Sequence, residues 1–426
     1  MHFDFQESPG SHLNLLYQLT QTFNSSLDLD EVLNRVMDEV IAATHAERGF
    51  VMLLEQEGKL AFRVARGIDQ TTINEPQFQV SRSVVERVAQ KGQPVLTSDA
   101  QTDERFNIRQ SIMLLGLRSI LCVPLKLKES IIGVIYVDNR LQAGIFTIAD
   151  LRLLNAIASS AAVAIENARL YQVAVEKGRL EQELSMARRV QVSLLPRKMP
   201  QIAGWEFITR WKPARQVGGD YYDFIETDDW QLGLVIADVT GKGMPAALFM
   251  AFTRSIIRGN LDQAPSPAAG IARANRLICQ ESDNGLFVSL FYGLLNPSTG
   301  ELTYVNAGHN PPILVSPSGS DQSGLMTLLD STGILLGIDE DAAFTQSVIQ
   351  LRSGDFIALY TDGVTEAIDA EEDQFGMERL QGVLLENQDR PASEIAEALE
   401  MAIDQFSLDL TSHDDITLVI AKRLQK

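Results

Sequence analysis

Three apolar runs in the C-terminal half of this 426-residue chain end or begin on an aspartate. LGLVIA stops at Asp238, FIALYT leads into Asp362, and the pair Asp414-Asp415 opens ITLVI. A fourth carboxylate, Asp220, sits in GGDYYDF, ahead of the strand-like YYDFIE. One carboxylate beside a glycine is an ordinary turn; four of them constrain the fold. If they converge within about 5 Å, each ionised pair repels by roughly 3 kcal/mol at an effective dielectric near 20. Six pairs then cost on the order of 20 kcal/mol, more than the stability of a whole domain. Either the groups stay apart or cations offset them. An all-oxygen donor set favours Mg²⁺ or Mn²⁺ over zinc. Two such ions can deprotonate a bridging water and hold a phosphoryl oxygen for in-line attack.

Charge and cysteine content narrow the function classes. The net charge is −20; residues 196–426 carry 16 Lys+Arg against 33 Asp+Glu, whereas residues 1–195 carry 20 against 23. Such acidity argues against nucleic-acid or membrane partners. No run of about 18 uninterrupted apolar residues is present, and MHFDFQESPG lacks a basic-then-apolar leader, so a soluble, cytoplasmic protein is expected. Cys122 and Cys279 have no metal-type spacing, and neither opens the cysteine-to-arginine loop of a thiol phosphatase.

The N-terminal third reads as amphipathic helices over 13–45, with Asp28 or Asp30 as a cap. Strand-like GFVMLLEQ and KLAFRVARG, a helix over SVVERVAQKG, and a hairpin of SILCVPLKL and SIIGVIYVDNR follow. This pattern, with PVLTSDAQTDERF and GIFTIADLRLLNAIASSAAVAIENARLY, resembles a GAF domain over residues 10–168. The resemblance implies an α/β sensor that binds a small ligand or dimerises; the ligand is unknown. GAF domains resembling cyclic-nucleotide binders carry a five-residue pattern that falls here on Asn139, Arg140, Phe146, Asp150 and Leu151, and two of the five differ. Cys122, within an apolar strand, is expected to be core.

From Glu166 to Leu195 no proline interrupts the helical pattern. Leu170, Val173, Lys177, Leu180, Leu184, Ala187, Gln191 and Leu194 alternate at spacings of three and four, mostly apolar. Residues 169–195 are therefore expected to form a helical linker, a two-stranded coiled coil that makes the protein a homodimer.

Past Pro196, strand-like runs alternate with helices over Pro245 to Arg258, around Pro267 to Gln280, and over Pro391 to Phe406. Six motifs stand in order: ARRVQVSLLP, GGDYYD, DVTGKGMPAAL, NAGHNPP, YTDGVTEA and SHDDITLVI. Together they resemble the metal-dependent protein serine/threonine phosphatases (PPM), in particular the SpoIIE- and RsbU-like bacterial branch. The resemblance implies an α+β fold: the GAF domain joined by the long helix to an α-β-β-α sandwich over 196–424. It implies that Asp238 bridges two Mn²⁺ or Mg²⁺ ions beside the Val239 carbonyl. Asp220 then binds one ion, and Asp362 and Asp414 the other, with Asp414 ranked above Asp415. Asp220 and Asp238 are the catalytic aspartates, and Asp223 is a weaker candidate behind them. The implied substrate is a phosphorylated protein, an anti-sigma-factor antagonist by family analogy.

Asn306, His309 and Asn310 are read as a loop between two strands, in which His309 either faces the cleft or serves the turn. A phosphate contact by Lys242, in a segment without P-loop spacing, and proton donation by His413 are open alternatives. The sequence assigns no role to His309, Lys242 or His413. Two rivals remain at this level. A diguanylate cyclase is suggested by GGDYYDF but leaves Asp238, Asp362 and Asp414 without a purpose. A catalytically degenerate sensor scaffold would lack an acidic position, and all are present.

Overall fold

The computed structural model describes residues 18, 21–23, 25–55, 58–69, 71–73, 80–100, 116–261, 264–281, 285–317, 325–407 and 414–425. The chain divides into two compact units, Met1–Leu180 and Glu181–Lys426.

In the first unit, α1 (Leu29–Thr44) starts where Asp28 accepts a hydrogen bond from the Glu31 N–H at 2.9 Å, so Asp28 is the cap. Strands β1 (Arg48–Leu54), β2 (Leu60–Gly67), β3 (Val95–Thr97), β4 (Ser119–Leu127) and β5 (Ser130–Asn139) form an antiparallel sheet in the order β2-β1-β5-β4-β3. The expected β4–β5 hairpin is present, turning at Lys128. Strand alternation splits the sheet residues between two cores. Phe50, Met52, Cys122 and Tyr136 face α2 (Arg82–Lys91), while Val51, Val123, Ile135 and Val137 face α1 and the long helix α3 (Ile148–Leu194).

Helix α3 is 47 residues long, so the closing helix of the first unit and the linker are one element. By length and composition it contains a window apolar enough to cross a membrane. Leu154, Ile157, Ala161 and Ile165 commit that apolarity to the sheet. Further along, Leu170, Val173 and Leu180 are each more than half exposed.

The second unit stacks two five-stranded sheets. One has the order β13-β10-β9-β8-β7, from β7 (Tyr221–Glu226), β8 (Leu232–Val239), β9 (Val288–Asn296), β10 (Glu301–Ala307) and β13 (Ser347–Gln350). The other has the order β12-β11-β14-β15-β6, from β6 (Trp205–Lys212), β11 (Ile313–Ser316), β12 (Leu325–Leu328), β14 (Phe356–Tyr360) and β15 (Ile416–Arg423). Along β14, Ile357 and Leu359 join the core shared with Leu234, Ile236 and Phe291 of the opposite sheet, whereas Phe356, Ala358 and Tyr360 pack with the outer helices. Helices α4 (Met244–Leu261) and α5 (Pro267–Glu281) cover the first sheet; α7 (Gly376–Glu386) and α8 (Ala392–Ser407) cover the second. A single turn, α6 (Asp362–Thr365), follows β14. This is the α-β-β-α arrangement.

Candidate metal centre and active site

Antiparallel pairing explains why the aspartates alternate between strand ends and strand beginnings. Tyr221 opposes Ala237, so Asp220, just before β7, meets Asp238 at the end of β8. Tyr360 opposes Leu418, so Asp362, just after β14, meets the Asp414-Asp415 pair just before β15. The two sheets bring these ends to one place. Asp238 feels Asp362, Asp414 and Asp415, and its carboxyl lies within hydrogen-bonding reach of Asp220. Burial and then Asp362 and Asp414 push the Asp238 carboxyl up to about 7. Burial and then Asp414 and Glu366 push Asp362 up to about 6. Burial, then Asp238 and Asp415, hold Asp220 well above the usual carboxylate range. The four carboxylates singled out in the sequence therefore form one electrostatic group linked through Asp238.

Each is held differently. Asp220 is 1% exposed. Its Oδ2 accepts from the Thr361 hydroxyl at 2.8 Å and from the Thr417 hydroxyl, while its buried Oδ1 has no hydrogen-bond donor among the described residues. Asp414 pairs with the Lys242 ammonium at 2.8 Å and accepts from the Asp415 N–H. Asp415 is spoken for by backbone: its two oxygens accept from Ala214 N–H at 2.8 Å and Gly219 N–H at 2.6 Å. It clamps the turn before β7.

The Gly218-Gly219 turn is tight because of its neighbours. A Cβ on Gly218 would stand 2.2 Å from the Asp415 carboxylate, and one on Gly219 would stand 2.8 Å from the Val239 carbonyl oxygen. Side chains there would expel the groups that shape the pocket. Gln191, near the end of α3, closes the turn from behind. It donates from Nε2 to the Gly218 carbonyl at 2.6 Å and accepts the Gly218 N–H at 3.2 Å. In the heptad reading Gln191 belonged to the interhelical seam; the structure buries it against this turn instead.

Asp223 departs from the sequence reading as well. It is ion-paired through both oxygens with Arg258, at 2.6 Å each, and accepts from the Tyr221 hydroxyl at 2.6 Å. A carboxylate already neutralised by a guanidinium is a structural tie between β7 and α4. Lys242 contacts the acidic pocket. His309 is buried, with Nδ1 2.8 Å from the Ser289 hydroxyl. His413 lies outside the described residues.

In the first unit, the positions compared with cyclic-nucleotide binders are occupied by structural work. Asn139 accepts from the Leu141 and Gln142 N–H groups, Arg140 pairs with Glu47, and Asp150 accepts from Thr147 at the start of α3. Cys122 is fully buried, and burial raises its thiol pKa.

Residues 228–424 match the family described as Stage II sporulation protein E (SpoIIE), and residues 26–166 match the GAF domain. Phosphoserine phosphatase RsbU of Bacillus subtilis is 33% identical over 250 residues, covering 57% of this chain and 71% of that protein. The chain belongs to the SpoIIE family of PP2C-type protein phosphatases. Protein IcfG of Synechocystis is 30% identical over 268 residues, 57% of this chain and 41% of IcfG. The fold is also that of the SiaA-PP2C domain of Pseudomonas aeruginosa, at a TM-score of 0.52 and 22% identity over 59% of this chain and 100% of that one.

SpoIIE-family phosphatases are metal-dependent, and carboxylate oxygens are the donor type that a hard divalent cation takes. Among the described residues the carboxylates of the acidic group offer oxygen donors, one buried carboxylate oxygen accepts no hydrogen bond, and the carboxylates raise one another's pKa. Among the described residues no group of three or more Asp, Glu, His or Cys side chains is placed so that it could hold a metal ion as it stands. Thr361 and Thr417 on Asp220, and Lys242 on Asp414, take up part of the donor capacity.

Proposed function

We propose that the second unit hydrolyses phosphoserine or phosphothreonine on a small protein, an anti-sigma-factor antagonist in a partner-switching pathway, under control of the GAF unit. The relatives named as phosphoserine phosphatases, RsbU and RsbP of Bacillus subtilis, support this reading. The observation that carries it is the gathering of Asp220, Asp238, Asp362 and Asp414 into one electrostatic group linked through Asp238. In this reading Asp238, Asp220, the Val239 carbonyl, Asp362 and Asp414 would hold two Mn²⁺ or Mg²⁺ ions. Ions held there supply an acidified water and charge neutralisation for the phosphoryl oxygens.

The protein's own groups do the rest. Thr361 and Thr417 fix one oxygen of Asp220 so that the other points into the pocket. Asp415 and Gln191 lock the turn that carries Asp220. Lys242 adds a cation at the rim, where the incoming phosphate dianion meets the acidic cluster. No side chain is needed as a covalent nucleophile. The exposed apolar stripe of α3 at Leu170, Val173 and Leu180 suits a second copy of the same helix, so the protein is taken as a cytoplasmic homodimer that passes sensor state along α3.

The test is phosphate release from a phosphoserine-bearing antagonist protein with Mn²⁺ and again with EDTA. Turnover that needs Mn²⁺ and spares free nucleotides supports the proposal. Metal-independent turnover, or none on any phosphoserine protein, defeats it.

A further inference from the structure

His309 is the one buried side chain near the pocket with a ring nitrogen that makes no hydrogen bond of good geometry among the described residues. It is 3% exposed. The loop that presents it is rigidly built. Asn306, fully buried, accepts the His309 N–H at 2.8 Å through its side-chain oxygen and donates from its amide to the Leu329 carbonyl at 3.1 Å. The Asn306 N–H donates to the Thr332 hydroxyl at 2.9 Å. Gly308 adopts φ +68°, and a Cβ there would stand 2.9 Å from the Leu335 side chain, so the turn demands glycine. So much fixing of a four-residue turn directs the imidazole inward.

Two groups meet that ring. From one sheet, the Ser289 hydroxyl lies 2.8 Å from Nδ1. Ser289 is the residue directly opposite Asp238 in the β8–β9 pairing, so the two side chains are cross-strand neighbours on one face. From the other sheet, the Tyr360 carbonyl faces the ring and favours its protonation. Tyr360 ends β14, two residues before Asp362.

We propose that His309 is a positioning residue for the metal centre, tying the strand end that carries Asp238 to the strand end that carries Asp362 and so setting the separation of two carboxylates from different sheets. The proposal rests on the metal-centre reading given above. Burial pushes the ring pKa down to about 4, so the imidazole is neutral at working pH with one proton to place. Both neighbours are served at once only when that proton sits on Nε2, toward Tyr360, and the Ser289 hydroxyl donates to Nδ1. The Ser289 proton is then used up. The hydroxyl beside Asp238 has none to give that carboxylate, whose lone pairs stay available to a cation.

The experiment is calorimetric titration of Mn²⁺ into the metal-stripped full-length protein, for wild type, His309→Ala, Ser289→Ala and the double variant. Loss of such a supporting hydrogen bond costs about tenfold in metal affinity. His309→Ala should therefore bind Mn²⁺ about tenfold more weakly, and Ser289→Ala less so. The double variant should be no worse than His309→Ala, because both act through one contact. In turnover assays the Mn²⁺ requirement should rise while the KM for the phosphoprotein stays put and saturating Mn²⁺ restores kcat. A merely structural histidine would lower the folded fraction without moving the Mn²⁺ affinity of what remains folded. Ser289→Ala, a one-atom deletion, keeps the test open if His309→Ala fails to fold. Equal Mn²⁺ affinity in wild type and Ser289→Ala or His309→Ala overturns the proposal. Wild-type protein that takes up no Mn²⁺ overturns the metal-centre reading itself.

Discussion

Both units bury aspartate, and they treat it in opposite ways. In the first, Asp138 on β5 is fully buried, and Arg48 on β1 meets it with two hydrogen bonds of 2.8 and 2.7 Å. Burial raises Asp138 and the guanidinium pulls it back. Asp223 in the second unit has the same arrangement with Arg258. At the acidic group, by contrast, Asp220, Asp238 and Asp362 are pushed up by burial and by neighbouring carboxylates, and the Lys242 ammonium pairs with Asp414. A buried carboxylate that carries its own cation is a fastener. A group of them facing each other is a receptacle for cations brought from outside.

The largest effect that separates the two kinds of site should come from Asp238→Ala. If it bridges the ions, kcat falls by roughly 10³ or more, the rate equivalent of several kcal/mol of lost charge stabilisation. Circular dichroism should stay unchanged, and retained turnover would refute the bridging role. Next comes Arg48→Ala, which strands Asp138 as an uncompensated buried charge. Denaturant unfolding should show a loss of about 3–5 kcal/mol in the first unit, with Mn²⁺ affinity unmoved. A loss below about 1 kcal/mol would mean that Asp138 does not depend on its partner.

A pH series sharpens the contrast further. Asp238 near 7 and Asp362 near 6 keep protons in the folded state that the unfolded chain has released above about pH 4. Their contribution to the metal-stripped protein is therefore fully present below about pH 4 and is lost as pH rises through 6 and 7. In EDTA the melting temperature of the second unit should fall between about pH 5 and pH 7.5, and Asp238→Asn should flatten that slope. Mn²⁺ at a hundredfold excess over its Kd should restore about 2.7 kcal/mol at the upper pH, where the carboxylates are free of protons. A wild-type slope equal to that of Asp238→Asn would contradict the coupling. The smallest effect is expected from Gln191→Ala, which removes two hydrogen bonds to Gly218 at a cost of about 1–3 kcal/mol. It should weaken Mn²⁺ binding modestly, and an unchanged affinity would show that the turn holds without α3.

Much of this was legible in the chain, because the pattern was local. Apolar runs of six or so residues ending on aspartate mark strand ends, and antiparallel pairing then converts those ends into one pocket. The helices over 245–258 and 391–406 carry their own period and proline starts. What escaped was long-range or short. Thr417 reaches Asp220 across 197 positions and Gln191 reaches Gly218 across 27, and no spacing rule announces either. Strands β12 and β13, four residues each, are too brief to alternate convincingly. Helix α7 opens on Gly376 with φ +76°, a residue that reads as a loop. Asp223 looked like its neighbours because Arg258 lies a helix away.

The most direct measurement is an anomalous difference map from a crystal soaked in Mn²⁺. Two peaks enclosed by the carboxylates of Asp220, Asp238, Asp362 and Asp414, with Asp238 between them, are the expected result. A crystal saturated with Mn²⁺ that shows no peak among those four residues would contradict it.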